Sequence, residues 1–220
     1  MKILALDTSG TDCAVCIYDA ERAEVLSEVT ENIGKGHAER LMALVDQAFS
    51  QAKLELSDIG KVAVTIGPGS FTGIRVGVAA ARGFALSLRV EAVGVTTLET
   101  VARAYQKQHV GKAVAVAFDA KRDEVYLQVF DASRQAVTPE QLLSIDDARA
   151  GLADFNGEIA GTGIGVLRGV TPATDKDHFP ISIVAELAAE KQASDAKPKP
   201  LYLRGPDARP QSGFALERQA

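Results

Sequence analysis

The pattern of apolar and polar positions predicts five strands in the first half of the chain. One short apolar run and two alternating stretches come first, separated by segments rich in Ser, Thr, Gly and Asp. Such patterns are typical of strands joined by tight turns. Two further apolar runs follow later. The predicted strands cover residues 2–7, 13–19, 24–30, 61–66 and 90–95.

Apolar residues spaced three and four apart predict three helices between and after these strands. In the first of them, Leu41, Leu44 and Val45 lie on one face. Thr72 is the expected N-cap of the second helix. The predicted helices cover residues 37–53, 72–88 and 97–107. The first half therefore has the predicted order β-β-β-α-β-α-β-α.

The second half begins with a pattern that resembles the start of the first. Strands are predicted over 113–119 and 124–130. A gapless shift of 112 residues places Asp7 over Asp119 and superimposes both strands. A repeat of about half the chain is typical of a duplicated two-lobed fold. We therefore expect an N-terminal lobe over residues 1–108 and a C-terminal lobe over residues 109–220.

The pattern is weaker beyond residue 132. It predicts a helix over 146–153, a strand over 157–160, a glycine-rich turn over 161–165, a helix over 181–192, an extended polyproline-like link over 197–200 and a loosely held last ten residues.

Composition restricts the classes of function. Apolar residues make up 46% of the 220-residue chain, enough for a core, and the net charge is −5. An acidic chain is poorly suited to bind nucleic acid alone, because phosphate contacts need clustered positive charge. Asp7 interrupts the first apolar run, so no signal peptide is expected, and no apolar run reaches the length of a membrane span. We expect a cytoplasmic protein with no membrane contact.

A glycine-rich loop joins the fourth strand to the second helix. Backbone N–H groups at a helix N-terminus favour an anion, so the loop is a candidate phosphate or carboxylate site. The alternative is a tight turn whose glycines permit positive φ. An Asp at the end of the first strand, before hydroxyl residues, could also hold a metal-bound phosphate. The candidate anion or nucleotide contacts are Asp7, Thr8, Ser9, Gly67, Gly69 and Ser70.

The helix after this loop is apolar on nearly all faces. Its small residues recur every four positions, at Gly73, Gly77, Ala81 and Ala85. A helix of this kind needs cover on all sides, from the 37–53 helix or from a second protein. The candidate partner interface consists of Leu41, Met42, Val45, Phe49, Gly73, Val76, Gly77, Ala80, Ala81 and Phe84.

The cysteines and histidines do not indicate a metal site. Cys13 and Cys16 are three positions apart on a predicted strand, so they should lie on opposite faces as free thiols. His37, His109 and His178 are too far apart in the sequence for a zinc motif, and no Ser-His-Asp arrangement is visible. No catalytic residue and no metal ligand is predicted.

Five segments together resemble the TsaB/YeaZ family, in the expected order and over most of the chain. They are residues 3–9 (ILALDTS), 37–41 (HAERL), 67–77 (GPGSFTGIRVG), 119–126 (DAKRDEVY) and 201–204 (LYLR). The resemblance implies the α/β fold of the actin/Hsp70/sugar-kinase (ASKHA) group, with two duplicated lobes that each have a mixed sheet flanked by helices. It also implies a role in the bacterial tRNA threonylcarbamoyladenosine machinery.

Within that machinery, the resemblance implies a non-catalytic scaffold that pairs with TsaD through the first-lobe helices and works with the ATPase subunit TsaE. Thr97 and Val101 stand where TsaD has two metal-binding histidines, and the turn after Asp119 lacks glycine. ATP and metal are thus expected on partner subunits, tRNA contact only through the complex, and a homodimer when TsaD is absent. The alternatives are an ATP-dependent phosphotransferase or ATPase of the same fold and a glycoprotease-type metallopeptidase.

Overall fold

Two β-sheets form the centre of the protein in the computed structural model, which describes residues 1–171, 176–192 and 197–205. The strands of the first sheet are β1 (Lys2–Asp7), β2 (Asp12–Asp19), β3 (Glu24–Asn32), β4 (Ile59–Thr65) and β5 (Glu91–Val95). Those of the second are β6 (Val114–Lys121), β7 (Glu124–Phe130), β8 (Gln141–Ser144) and β9 (Glu158–Ala160). The helices are α1 (His37–Ala52), α2 (Phe71–Leu88), α3 (Thr97–Gln108), α4 (Ile145–Gly151), α5 (Ile164–Arg168) and α6 (Ile181–Glu190), with a 3₁₀ turn at Leu56–Asp58.

Four strands of each sheet have the same topology, and the first sheet has β5 in addition. The strand orders are β3-β2-β1-β4-β5 and β8-β7-β6-β9, and in each sheet three antiparallel strands are followed by a parallel one. A parallel neighbour requires a crossover, which α1 provides between β3 and β4 and α4 provides between β8 and β9. This repetition confirms the duplicated two-lobed α/β fold.

Helices cover both faces of each sheet. The helices α1 and α2 pack on one face of the first sheet and α6 on the other. The second sheet has α3 on one face and α4 and α5 on the other. The last helix of each half thus packs on the other half's sheet, and α3 and α6 contact each other. The division at residue 108 stays a prediction, but α6 completes the core of the first lobe.

Burial on both faces explains the short apolar run that begins the chain. Leu4 and Leu6 of β1 belong to the cluster under α1 and α2, whereas Ile3 and Ala5 belong to the cluster under α6. All four side chains are fully buried. A strand buried on both sides needs apolar residues at every position, not at alternate ones.

The cysteines on β2 follow the same geometry. Cys13 lies in the cluster under α1 and α2, and Cys16 lies in the cluster under α6. Both are free and buried. The prediction that they lie on opposite faces of a strand is confirmed.

The gapless superposition of the two halves is wrong by one residue in the first strand. Leu6 pairs with Val15 on the face covered by α1 and α2. On the corresponding face of the second sheet, which α4 and α5 cover, the matching pair is Ala117 and Leu127. The position equivalent to Asp7 is therefore Phe118 and not Asp119. A slip of one residue moves a side chain to the other face of a sheet, which the sequence match could not detect.

Several boundaries also differ from the prediction. The N-cap of α2 is Ser70 and not Thr72, and the Ser70 hydroxyl accepts a 3.2 Å hydrogen bond from the Gly73 N–H. The strand β8 was not predicted. The helix α5 begins within the predicted glycine-rich turn. The loosely held last ten residues lie outside the described residues.

Candidate interlobe cleft and partner surface

Asp7 is closed off from solvent at the end of β1. It is 0% exposed, and its Oδ1 accepts hydrogen bonds from the Ser9 backbone N–H at 2.9 Å, the Ser9 hydroxyl at 2.5 Å and the Thr65 hydroxyl at 2.5 Å. Its Oδ2 accepts no hydrogen bond from any described residue. Burial raises the pKa of this carboxyl, although the hydrogen bonds from Ser9 and Thr65 act to lower it. In this position Asp7 cannot reach a metal-bound phosphate.

The glycine loop packs on the turn between β1 and β2. A Cβ on Gly69 would lie 2.4 Å from the Ser9 carbonyl oxygen, and one on Gly73 would lie 1.9 Å from that of Thr8. The Ser70 N–H donates a 2.7 Å hydrogen bond to the Ser9 carbonyl oxygen. The loop therefore uses its glycines for close backbone contact, which supports the tight-turn interpretation.

Part of the predicted anion site lines a cleft of about 660 Å³ between the lobes. Ser9, Gly69 and Ser70 are on its wall, whereas Asp7, Thr8 and Gly67 are not. Thr8 is 1% exposed, and its hydroxyl donates to the Gly73 carbonyl oxygen at 2.6 Å. The structure thus brings three of the six predicted residues to a common cavity and keeps the other three in packing roles.

The opposite wall of this interlobe cleft has both signs of charge. Lys121 Nζ lies 2.6 Å from the Asp119 carboxylate. Burial acts to raise the pKa of Asp119, but the hydrogen bonds from Lys121 lower it overall. Asp177 also lines the cleft, and burial raises the pKa of its carboxyl. The lining also includes Lys176 and Arg204, so with Lys121 it has three cationic side chains against two carboxylates, and its charge does not decide whether an anion binds.

The predicted stripe of small residues on α2 faces inward. Gly73, Gly77 and Ala81 are buried, and a Cβ on Gly77 would lie 2.6 Å from the Thr8 hydroxyl oxygen. Leu41 and Val45 of α1 are buried as well. These five residues were predicted as partner contacts. In the described fold they pack on the first sheet of their own chain, and their contact with a partner stays a prediction.

The outer side of α2 is open to solvent and has both apolar residues and arginines. Only a third of its residues are buried, and Leu86 is 77% and Phe71 51% exposed. Among the predicted contacts, Met42 is 45% exposed, and the half-buried ones are Phe49, Val76, Ala80 and Phe84. By length and composition α2 is the one helix of the described residues that could cross a membrane, but its inner flank packs on the sheet. We use the name partner surface for the exposed sides of α1 and α2, which include Glu39, Met42, Asp46, Phe71, Arg82 and Leu86.

Charged residues seven positions apart identify this surface in the sequence. Arg75 and Arg82 lie along the exposed side of α2, which contains no acidic residue, and Arg89 follows as its C-cap. Glu39 and Asp46 lie along the exposed side of α1. Seven residues make almost two helical turns, so each set forms one strip. Because charged side chains favour solvent, the spacing of these arginines predicts that the small residues of α2 face the interior.

The chain segment after residue 197 crosses from the first lobe to the second. The Leu201 N–H donates a 2.8 Å hydrogen bond to the Ile66 carbonyl oxygen. Arg75 Nε donates to the Tyr202 hydroxyl at 2.7 Å, and Arg204 pairs with Glu124. Residues 201–204, which follow the link predicted over 197–200, therefore connect the start of α2 with β7.

Thr97 and Val101, the positions expected to correspond to the TsaD histidines, make packing contacts and hydrogen bonds within the chain. Thr97 is fully buried, and its hydroxyl donates a 2.6 Å hydrogen bond to the Pro68 carbonyl oxygen. Val101 is half-buried beside the cluster under α3. Residues 1–171, 176–192 and 197–205 contain no group of three His, Cys, Asp or Glu residues that could hold a metal ion.

Comparison with known proteins is in agreement with this fold and topology. A family model described as TsaD, tRNA N6-adenosine threonylcarbamoyltransferase, matches residues 24–192, more than half of the chain. The tRNA threonylcarbamoyladenosine biosynthesis protein TsaB of Escherichia coli is 33% identical over 126 residues, 57% of this chain and 53% of that protein. YeaZ from Pseudomonas aeruginosa superimposes with a TM-score of 0.72 at 27% identity, covering 85% of this chain and 90% of that one.

The chain belongs to the TsaB/YeaZ branch of this family. An uncharacterized Mycobacterium tuberculosis protein is 32% identical over 211 residues, which is 94% of each chain. By contrast, the match spans a little over half the length of the E. coli TsaB protein. The TsaB/YeaZ resemblance of the sequence motifs is thus confirmed at the level of family and fold.

Proposed function

We propose that the chain is a non-catalytic scaffold subunit of the tRNA threonylcarbamoyladenosine machinery. In this proposal it pairs with TsaD in the cytoplasm, works with TsaE and reaches tRNA only through the complex. The observation that carries the proposal is the partner surface. Three large apolar side chains on the outer sides of these helices are open to solvent: Leu86 is 77%, Phe71 51% and Met42 45% exposed.

The geometry around Asp7 supports a scaffold rather than a phosphotransferase. The carboxyl is buried, and its Oδ1 already accepts three hydrogen bonds from Ser9 and Thr65. An ATPase of this fold would need an acidic group that is open to a metal-bound phosphate.

Co-expression with TsaD tests the proposal. Leu86→Asp places a charge on the partner surface at a position that is 77% exposed. Val110→Asp is the matched control, because Val110 is 78% exposed and lies in the loop after α3. We expect Leu86→Asp to weaken TsaD binding at least about tenfold, about 1.4 kcal/mol, and to lower threonylcarbamoyladenosine in tRNA.

The same samples show whether the fold survives. An exposed substitution should change the free energy of unfolding by about 0.5 kcal/mol or less. If Leu86→Asp and Val110→Asp both bind TsaD like the parent chain, the partner surface is elsewhere. If the parent chain does not bind TsaD, the scaffold proposal is wrong.

Charge on the partner surface indicates how a second copy would bind in the absence of TsaD. The acidic strip of α1 and the basic strip of α2 are complementary, and a two-fold axis would place each against the other. Asp46→Lys or Arg82→Glu alone should weaken self-association, measured by sedimentation equilibrium, and the double variant should restore it. No restoration would contradict this pairing.

A further inference from the structure

The segment over residues 201–204 meets the first turns of α2 in an exposed cluster of two aromatic rings and an arginine. Phe71 and Tyr202 are each about half exposed, and their ring centroids are 5.3 Å apart. The guanidinium carbon of Arg75 lies 3.7 Å from the centroid of the Phe71 ring, and its Nε donates a 2.7 Å hydrogen bond to the Tyr202 hydroxyl. We call these three residues the aromatic–arginine cluster.

The cluster fixes the direction of the Arg75 side chain. Because the guanidinium stacks on one ring and donates through Nε to the other side chain, much of its rotamer freedom is lost before any partner binds. Its two Nη groups donate no hydrogen bond to any residue in 1–171, 176–192 or 197–205. These two groups form the planar fork with which an arginine binds both oxygens of a carboxylate.

An apolar groove of about 450 Å³ opens beside the cluster. Phe71 and Tyr202 belong to its lining, and the other large apolar and aromatic side chains there are Ile74, Tyr126, Leu201 and Leu203. Arg204 also lines the groove, but its guanidinium is paired with Glu124. The unmatched charge next to the groove is therefore the cation of Arg75, which fits a ligand with one carboxylate and an apolar part.

The charges favour a protein segment over RNA as this ligand. An unpaired base also stacks on aromatic and arginine side chains, but RNA binding needs clustered positive charge. The groove has one cationic side chain in its described lining, Glu124 neutralises it, and the whole chain has a net charge of −5. Tyrosine and arginine are also the residues that contribute most at protein interfaces.

The groove continues the partner surface onto the second half of the chain. Phe71 and Arg75 lie on the exposed side of α2, whereas Tyr202 and Leu203 come from the segment that crosses to β7. A protein that covers α2 can thus reach the groove without leaving the surface.

We propose that the protein bound to the partner surface places an acidic residue and an adjacent apolar residue at this groove. The carboxylate would bind the Nη groups of Arg75, and the apolar side chain would enter the groove against Leu203. This inference rests on the proposed function, because it assigns a further contact to the same partner. It gives the segment over 201–204 a role in recognition.

TsaD binding by single-residue variants tests the proposal. Arg75→Gln removes the cation, whereas Tyr202→Phe keeps both the cation and the ring and removes only the hydroxyl. Arg168→Gln is the matched control, because Arg168 is a 46% exposed arginine of α5 in the second lobe. We expect the Kd to rise at least about tenfold for Arg75→Gln and about threefold for Tyr202→Phe, and to stay unchanged for Arg168→Gln.

Salt dependence distinguishes an ion pair from a structural role of Arg75. The Kd of the parent chain should rise with salt more steeply than that of Arg75→Gln, because the variant lacks the ion pair. Leu203→Gln tests the apolar part and should raise the Kd at least about threefold with the circular dichroism spectrum unchanged. A parent-like Kd for this folded variant would overturn the groove as the place of the apolar side chain.

Other outcomes separate this proposal from the scaffold proposal. If Leu86→Asp weakens TsaD binding and Arg75→Gln does not, the scaffold proposal stands and the carboxylate contact is wrong. Equal effects of Arg75→Gln and Tyr202→Phe would assign the loss to the contact between α2 and residues 201–204, and would also overturn it. If the parent chain does not bind TsaD, both proposals are wrong. Saturable binding of an unmodified tRNA transcript to the isolated chain, lost in Arg75→Gln, would assign the cluster to RNA instead.

Discussion

The Thr8 hydroxyl donates a 2.6 Å hydrogen bond to the Gly73 carbonyl oxygen, and a Cβ on Gly73 would lie 1.9 Å from the Thr8 carbonyl oxygen. The turn after β1 and the first turn of α2 are thus in direct backbone contact. Only a residue without a side chain fits at position 73. This contact holds α2 on the sheet and turns its other side outward.

Gly73→Ala should therefore destabilise the fold. The added methyl group needs a backbone shift, and overpacking of this kind costs about 1–3 kcal/mol or more. Gly83→Ala in the same helix is the matched control, because no atom lies within 4 Å of a Cβ there. Gly83→Ala should stabilise the fold by up to about 1 kcal/mol, since alanine is the better helix former. Urea unfolding measures both, and equal effects would contradict the contact.

The strands and long helices of the first half could be predicted because their apolar periods are regular. The α1 pattern of Leu41, Leu44 and Val45 is one example, and all three residues are buried. The orientation of α2 could not be predicted from its small residues alone. Gly77 and Ala81 permit close approach, but a stripe of small residues does not tell whether the chain's own sheet or a partner approaches.

The correspondence between the halves shows a second limit. Sequence similarity paired Asp7 with Asp119, whereas strand pairing and burial make Phe118 the equivalent of Asp7. The β1–β2 and β6–β7 hairpins differ by one residue in the position of their strand pairs. Successive side chains of a strand lie on opposite faces of the sheet, so this difference moves a residue to the other face. The candidate anion site shows a third limit. Asp7 and Thr8 are buried by packing between distant segments, which a local motif does not reveal.

Asp7→Asn should stabilise the protein at neutral pH. Burial raises the folded-state pKa of Asp7 above its ordinary value of 3.8, so the folded chain holds this proton more tightly than the unfolded chain. The carboxyl thus supports folding below its ordinary pKa and costs stability as the pH rises through the raised value. Asparagine keeps an acceptor for Ser9 and Thr65 without the charge.

Thermal unfolding at pH 7.5 and pH 4 checks this prediction. Tm should rise by several degrees at the higher pH, since about 1 kcal/mol corresponds to about 2–4 °C in a chain of this size, and the gain should shrink at the lower pH. The exposed Asp154→Asn is the control and should show little change at either pH. A gain that is the same at both pH values would exclude Asp7 as its source.

Cys13 and Cys16 should be unreactive in the native protein. Burial raises the pKa of each thiol to about 12, so almost no thiolate is present at pH 8. Ellman's reagent should label neither thiol in buffer and both in strong denaturant. Fast labelling of either thiol, with the native circular dichroism spectrum retained, would contradict the described burial.

Lys61 of β4 holds the C-terminal end of α6 on the first sheet. Its Nζ donates hydrogen bonds to the carbonyl oxygens of Ala188 at 3.2 Å and Lys191 at 3.1 Å, and it lies 3.5 Å from the Glu91 carboxylate. A cation is favourable at this end of a helix, where carbonyl oxygens lack partners within the helix. This buried lysine thus belongs to the contact by which the second half covers the first sheet.

Lys61→Met should loosen that contact. The loss of two charge-assisted hydrogen bonds and of the ion pair with Glu91 should cost about 3 kcal/mol or more and should speed amide exchange in α6 more than in α1. Lys107→Met is the matched control, because Lys107 also binds α6, through Glu186 at 2.7 Å, but is 46% exposed. An exposed ion pair contributes about 1 kcal/mol or less, so Lys107→Met should leave exchange in α6 almost unchanged. If the two variants have equal effects, α6 is held by its apolar contacts and not by Lys61.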